Sequence, residues 1–99
     1  MQTYVICSYD IANAEGYKPY VPSVTPLLQK HGAEIIAADF SAKVVEGPAS
    51  SVQVILKFPS EEDAERWYND PEYVEVRKIR LTTTKNGSLV FVKQSGSAE

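Results

Sequence analysis

Ninety-nine residues, 43% apolar and 23% charged, suffice for one domain with one core and leave no room for a separate cofactor domain. Ten Lys and Arg against thirteen Asp and Glu give a net charge of −3, which argues against nucleic acid as a partner. No apolar run is long enough to span a bilayer, so no membrane is expected. One Cys and one His supply neither an internal disulfide nor a zinc site, and no metal or cofactor is expected. The start, Met1 to Cys7, lacks a basic region and a small-residue cleavage site, which makes the cytoplasm the expected location.

Tyr4 to Ile11 predicts a first strand, with Val5, Cys7, Tyr9 and Ile11 on one face and Tyr4, Ile6, Ser8 and Asp10 on the other. Asn13 suits a helix N-cap, with Glu15 in the first turn. The stripe Tyr17, Tyr20/Val21, Val24, Leu27/Leu28, His31 has helical spacing, but Pro19, Pro22 and Pro26 interrupt it. The expectation is a helix in two pieces, Ser23 capping the second and Gly32 stopping it. Ile35 to Phe40 predicts a short second strand, extended or followed by a small pairing at Lys43 to Glu46; Gly47 to Ser50 is a turn.

Val52 to Phe58 predicts the third strand, with Val52, Val54, Leu56 and Phe58 on one face. Pro59 ends it. Ser60 with Asp63 makes a capping-box pattern, and Glu61, Glu62 and Asp63 suit the positive end of a helix dipole. Ala64, Trp67 and Tyr68 form the apolar stripe of that helix. Asp70-Pro71 sets a new cap with Pro at the first helical position, and Tyr73, Val76/Arg77 and Arg80 follow along one side. Thr82 to Ser88 reads as a link turning at Asn86-Gly87, Leu89 to Lys93 as the fourth strand, and 94–99 as a polar tail on a single 1–99 domain.

The order β-α-β-β-α-β is the ferredoxin-like arrangement, an α+β fold with two helical units on one face of a four-stranded antiparallel sheet. The other face normally meets water and reads polar. Here, whichever face turns inward, strands one and four leave Tyr4/Ile6 or Val5/Cys7/Tyr9/Ile11, and Leu89/Phe91 or Val90/Val92, on the opposite side. An uncovered apolar sheet face predicts a two-fold homodimer packed sheet to sheet.

On Tyr4-Val5-Ile6, His31-Gly32-Ala33, Val44-Val45-Glu46-Gly47, Phe58-Pro59-Ser60, Ala64, Arg80 and above all Trp67-Tyr68-Asn69-Asp70-Pro71-Glu72-Tyr73, the chain resembles the family called domain of unknown function 1330. The resemblance runs from about Tyr4 to Lys93 and implies a dimeric α/β barrel. It implies no activity. The wider superfamily that it points to includes cofactor-independent monooxygenases, isomerases and haem-handling proteins, an analogy of fold alone.

Several residues carry chemistry worth placing. Trp67 and Tyr68, with Tyr9, Tyr17 and Tyr20, suit the lining of a pocket for a planar organic molecule; the other reading of Trp67 and Tyr68 is core aromatics at helical spacing. His31 has the titration range of a general base if Asp39 or Glu34 orients it, and otherwise serves a helix end. Asp39 suits a cavity mouth or a turn cap. Arg77 and Arg80 beside Tyr73 suit a carboxylate or phosphate clamp, or pairing within the chain. Cys7 reads as a small buried hydrophobe.

The leading expectation is therefore a homodimer that binds a small organic metabolite between sheet and helices. The alternative is a cofactor-independent enzyme using His31 or Asp39 for proton transfer and Arg80 as anchor. Third comes a protein-binding surface built on acidic Glu61, Glu62, Asp63 and Glu65.

Overall fold

In the computed structural model, which describes residues 1–96, the chain runs β1 (Thr3–Ile11), α1 (Ala14–Tyr17), α2 (Tyr20–Lys30), β2 (Glu34–Asp39), β3 (Val52–Phe58), α3 (Glu61–Asn69), α4 (Pro71–Thr83) and β4 (Thr84–Lys93). The strands form one antiparallel sheet in the order β2-β3-β1-β4, the ferredoxin-like α+β topology. The tail expected over 94–99 is described only to Gly96, and residues 97–99 lie outside the described residues. The Gln94 amide donates to the Gln2 carbonyl, which carries the β1–β4 pairing one step further.

Register decides which side chains share a face. Val5, Cys7 and Tyr9 of β1 stand opposite Leu56, Val54 and Val52 of β3, and Val5 and Cys7 stand opposite Phe91 and Leu89 of β4. This face carries the core, which adds Tyr17, Tyr20, Val24, Leu27 and Leu28 from the first helices and Ala64, Trp67 and Tyr73 from the last two. The opposite face aligns Tyr4 with Val92, and Ile6 with Val90 and Ile55. Val90 and Val92 stay 50% and 44% exposed there, an apolar strip with no helix over it.

Local chemistry explains the element ends. Asn13 Oδ1 accepts from the Gly16 amide and starts α1. Ser60 Oγ accepts from the Asp63 amide and donates to Asp63 Oδ2, closing the predicted cap of α3. Asp70 Oδ1 accepts from the Glu72 amide, so one residue ends α3 and caps α4, with Pro71 in the first turn. Gly32, at φ +76°, supplies the left-handed stop after α2.

Four local expectations need correction. The break between α1 and α2 falls at Lys18-Pro19, and Ser23 lies inside α2, its amide donating to the Pro19 carbonyl. Pro19 precedes the helix and Pro22 sits in its first turn, where no intrahelical bond is lost; only Pro26 interrupts the ladder. Lys43 to Glu46 forms no strand, and Val45 is 87% exposed. There is no link from Thr82 to Ser88, because α4 runs straight into β4. The Thr84 hydroxyl donates to the Arg80 carbonyl, and the Thr83 carbonyl accepts from the Ala12 and Asn13 amides, so carbonyls of the helix end find partners without a loop. Asn86-Gly87 is not a turn but part of a β-bulge: Asn86 has φ 56°, and β4 spends one residue more than β1 between the Ser8–Ser88 and Asp10–Lys85 pairs.

Candidate functional site

Between α2, β2 and the inward face of the sheet lies a cavity of about 120 Å³. Tyr9 and Cys7 of β1 and Val54 and Leu56 of β3 form its floor. Tyr20, Val24 and Leu28 of α2 form one wall, and Trp67 and Tyr73 the back. Val21, Ile35 and Phe40, all well exposed, frame the mouth. α2 leaves this edge of the sheet partly uncovered, and β2 is exposed along its whole length.

Its polar atoms include the Thr25 hydroxyl, which donates to the Val21 carbonyl, and four phenol hydroxyls in two couples. Tyr9 and Tyr17 share a hydrogen bond of 2.5 Å, and Tyr20 and Tyr73 one of 2.7 Å. Each couple uses one proton internally and keeps a second O–H free to donate. Trp67 Nε1 is buried in the back wall with no partner among the described residues. Burial pushes all four phenols and the Cys7 thiol above their ordinary pKa values, and for Tyr9 and Tyr20 the hydrogen bond to the partner phenol adds to it. The wall is therefore neutral at physiological pH.

The residues singled out in the sequence divide between this cavity and other places. Tyr9, Tyr17 and Trp67 line it. Trp67 is also a core residue, 2% exposed, with ring centroids 5.5 Å from Phe58 and 4.3 Å from Tyr73. Tyr68 is half-buried outside the cavity. The Arg77 guanidinium lies 4.1 Å from the centre of the Tyr68 ring and donates through Nη1 to the Tyr68 carbonyl at 2.9 Å. Arg80 is buried with its Cζ 5.9 Å from the Tyr9 ring centre, and it opens onto a groove between α4 and β4. Arg77 and Arg80 thus form no common clamp.

His31 is outside the cavity too, and its partner is neither Asp39 nor Glu34. Its Nε2 donates to Asp70 Oδ2 at 2.8 Å, and Lys30 Nζ meets the same oxygen at 2.9 Å. The bond to His31, then that to Lys30, holds the Asp70 carboxyl well below the usual carboxylate range. Together they pin the end of α2 to the α3–α4 junction. Asp39 is exposed at the sheet edge, where Oδ1 accepts from the Ser41 amide at 2.8 Å, a turn cap.

Tyr73, Phe40 and Ile35 were not foreseen as cavity residues. Tyr73 carries the helical spacing of a core position, and only the fold brings its hydroxyl to Tyr20. Among the described residues, no group of His, Cys, Asp and Glu is arranged to hold a metal ion, and no helix is long and apolar enough to cross a membrane.

The model of a family described as a domain of unknown function (DUF1330) matches residues 2–95. The chain belongs to that family. No curated protein sequence matches it. Among solved structures, a protein of unknown function from Rhodopseudomonas palustris superposes with a TM-score of 0.81 at 17% identity, over 97% of this chain and 84% of that one. A dimeric ferredoxin-like protein of unknown function from Bacteroides fragilis gives 0.58 at 15% identity, over 94% and 96%. SnoaB, a cofactor-independent oxygenase from Streptomyces nogalater, gives 0.66 at 4% identity, over 97% and 95%. At such identities the shared property is the fold.

Proposed function

We propose that this member of the DUF1330 family is a homodimer that binds one small, neutral, largely apolar organic molecule in the tyrosine-walled cavity. The observation that carries the reading is the cavity itself, preformed and partly open at α2 and β2. An apolar cavity of roughly 150 Å³ holds a benzene ring, and this one is close to that size with a mouth through which a substituent extends. The free O–H of each phenol couple and the unpartnered Trp67 N–H suit an acceptor oxygen, as in an aromatic ketone or phenol.

Binding is favoured over acid–base catalysis because each phenol and the thiol in the wall is held protonated. His31, the residue suited to proton transfer, is bonded to Asp70 elsewhere. The oxygenase from Streptomyces nogalater shares the fold and lends no chemistry by that alone. Dimerisation rests on the bare apolar strip of Tyr4, Ile6, Ile55, Val90 and Val92, and the Bacteroides fragilis neighbour is dimeric.

Trp67 is the only tryptophan in the chain, so its fluorescence reports on the back wall. Titration with iodobenzene, a heavy-atom quencher of ring size, should quench it along a saturable curve. Ala38, an exposed β2 residue paired with Val54, also lines the cavity, and Ala38→Phe should abolish saturation while the circular dichroism stays unchanged. A quench linear in iodobenzene, equal in both proteins, would sink the binding reading. Light scattering tests the dimer separately: twice the chain mass is expected, and Val90→Asp should halve it.

A further inference from the structure

Arg80 is 4% exposed, yet it forms no ion pair with any carboxylate among the described residues, and its Nε has no hydrogen-bond partner. Its polar neighbours are Tyr73, Tyr20 and Cys7. Those groups are themselves pushed toward their neutral forms by burial, so none supplies a counter-charge at neutral pH. Asp10, opposite Lys85 in the sheet, is already taken: its oxygens accept from Ser51 and Asn86. A guanidinium remains charged under all ordinary conditions, and a buried charge without an opposite one is a costly arrangement.

That side chain lines a groove of about 420 Å³ between the end of α4 and the bulge in β4. Lys85 places a second cation at its rim, and among the described residues no acidic one lines it. At the other end the groove continues along Tyr68 and Leu89 toward Phe91, an apolar surface. A cationic end joined to an apolar end has the pattern of a small organic acid: a carboxylate for Arg80 and Lys85, a hydrocarbon or aromatic body for Tyr68 and Leu89. We infer that the α4–β4 groove is a second binding site, separate from the tyrosine cavity, for a small aromatic or aliphatic carboxylate.

The chain has three arginines, and Arg66 and Arg77 are engaged with Asp63 and Tyr68, so the Nε–H resonance of Arg80 can be followed by NMR. Sodium benzoate and inorganic phosphate are titrated at constant ionic strength into the wild type, Arg80→Met and Lys85→Glu. Benzoate should shift the Arg80 Nε–H signal with a saturable curve and raise the wild-type Tm. The Tm response should vanish in Arg80→Met, and affinity should fall at least tenfold in Lys85→Glu. Should Arg80→Met not fold, the wild-type resonance and exposed Lys85→Glu still decide. No shift with benzoate, or equal affinity in Lys85→Glu, would overturn the site. Saturation by phosphate with benzoate inert would overturn its assignment to an organic acid.

Discussion

The α1–α2–β2 side of the molecule and the α3–α4–β4 side bury aromatic residues in opposite ways. On the α3–α4 side Phe58 packs on Trp67 and Trp67 on Tyr73, a stack whose far face is the back wall of the cavity. On the α1–α2 side Tyr9, Tyr17 and Tyr20 gather around empty space, and β2 is exposed throughout. The two helical units differ in how they begin and run. Ser60 and Asp70 cap α3 and α4 through side chains, whereas α2 starts at Pro19 with no side-chain cap and carries Pro26 in its interior. The capped half is closed by aromatic stacking, and in the other half Pro26 interrupts the α2 ladder beside the cavity.

Truncations sharpen that contrast. Trp67→Ala, which removes a buried ring packed on Phe58 and Tyr73, should cost about 3–5 kcal/mol, the range for large aromatic truncations in a core. Leu28→Ala, on the cavity wall, should fall near the low end of the roughly 2–5 kcal/mol for such aliphatic truncations, since part of its surroundings is already empty. Urea unfolding of both variants checks the order, and equal losses would break the comparison. Ser60→Ala should cost about 1 kcal/mol by removing the α3 cap, measured the same way.

The smallest effect concerns the pin between the two halves. Asp70→Asn keeps a capping side chain but removes the charge that meets His31 and Lys30. The folded-state pKa of Asp70 is depressed, so its ionic contribution is present above the ordinary carboxylate value and is lost as pH falls below it. The wild type should therefore unfold at a higher temperature than Asp70→Asn at pH 7, the gap narrowing progressively below about pH 4. Thermal unfolding from pH 7 down to pH 2.5 measures it, and a gap independent of pH would remove the ion pair from the account.

Where a structural signal is local, the sequence carried it. Val52–Phe58 alternates cleanly, and Ser60, Asp70-Pro71 and Asn13 cap helices through partners two or three residues away. The misreadings occur where competing local signals are settled by distant contacts. Three prolines offer several helix starts, and Ser23 is as good a cap in isolation as the break that forms at Pro19. Asn86-Gly87 is a turn signal that becomes a bulge because β4 must stay in register with β1. The end of α4 is met by the Thr84 hydroxyl and by the Ala12 and Asn13 amides some seventy residues earlier in the chain, which no local signal announces.

The site followed the same division. Tyr9 and Tyr17 are legible as candidate lining aromatics, while the inward face of β1 is set only by its register with β3 and β4. The Tyr20–Tyr73 couple, 53 residues apart, and the His31–Asp70 bond, 39 apart, are not legible. Burial of Arg80 without a carboxylate partner among the described residues is likewise visible only once the strands and helices are in place.

The direct test of the central claim is a crystal structure of the protein soaked with iodobenzene, using the anomalous signal of iodine. The account predicts a peak inside the cavity bounded by Tyr9, Tyr20, Val24 and Trp67, with α2 and β2 little changed. Iodine absent from that space at saturating concentration, with the tyrosine rings collapsed together there, would contradict it and make the tyrosine cluster plain packing.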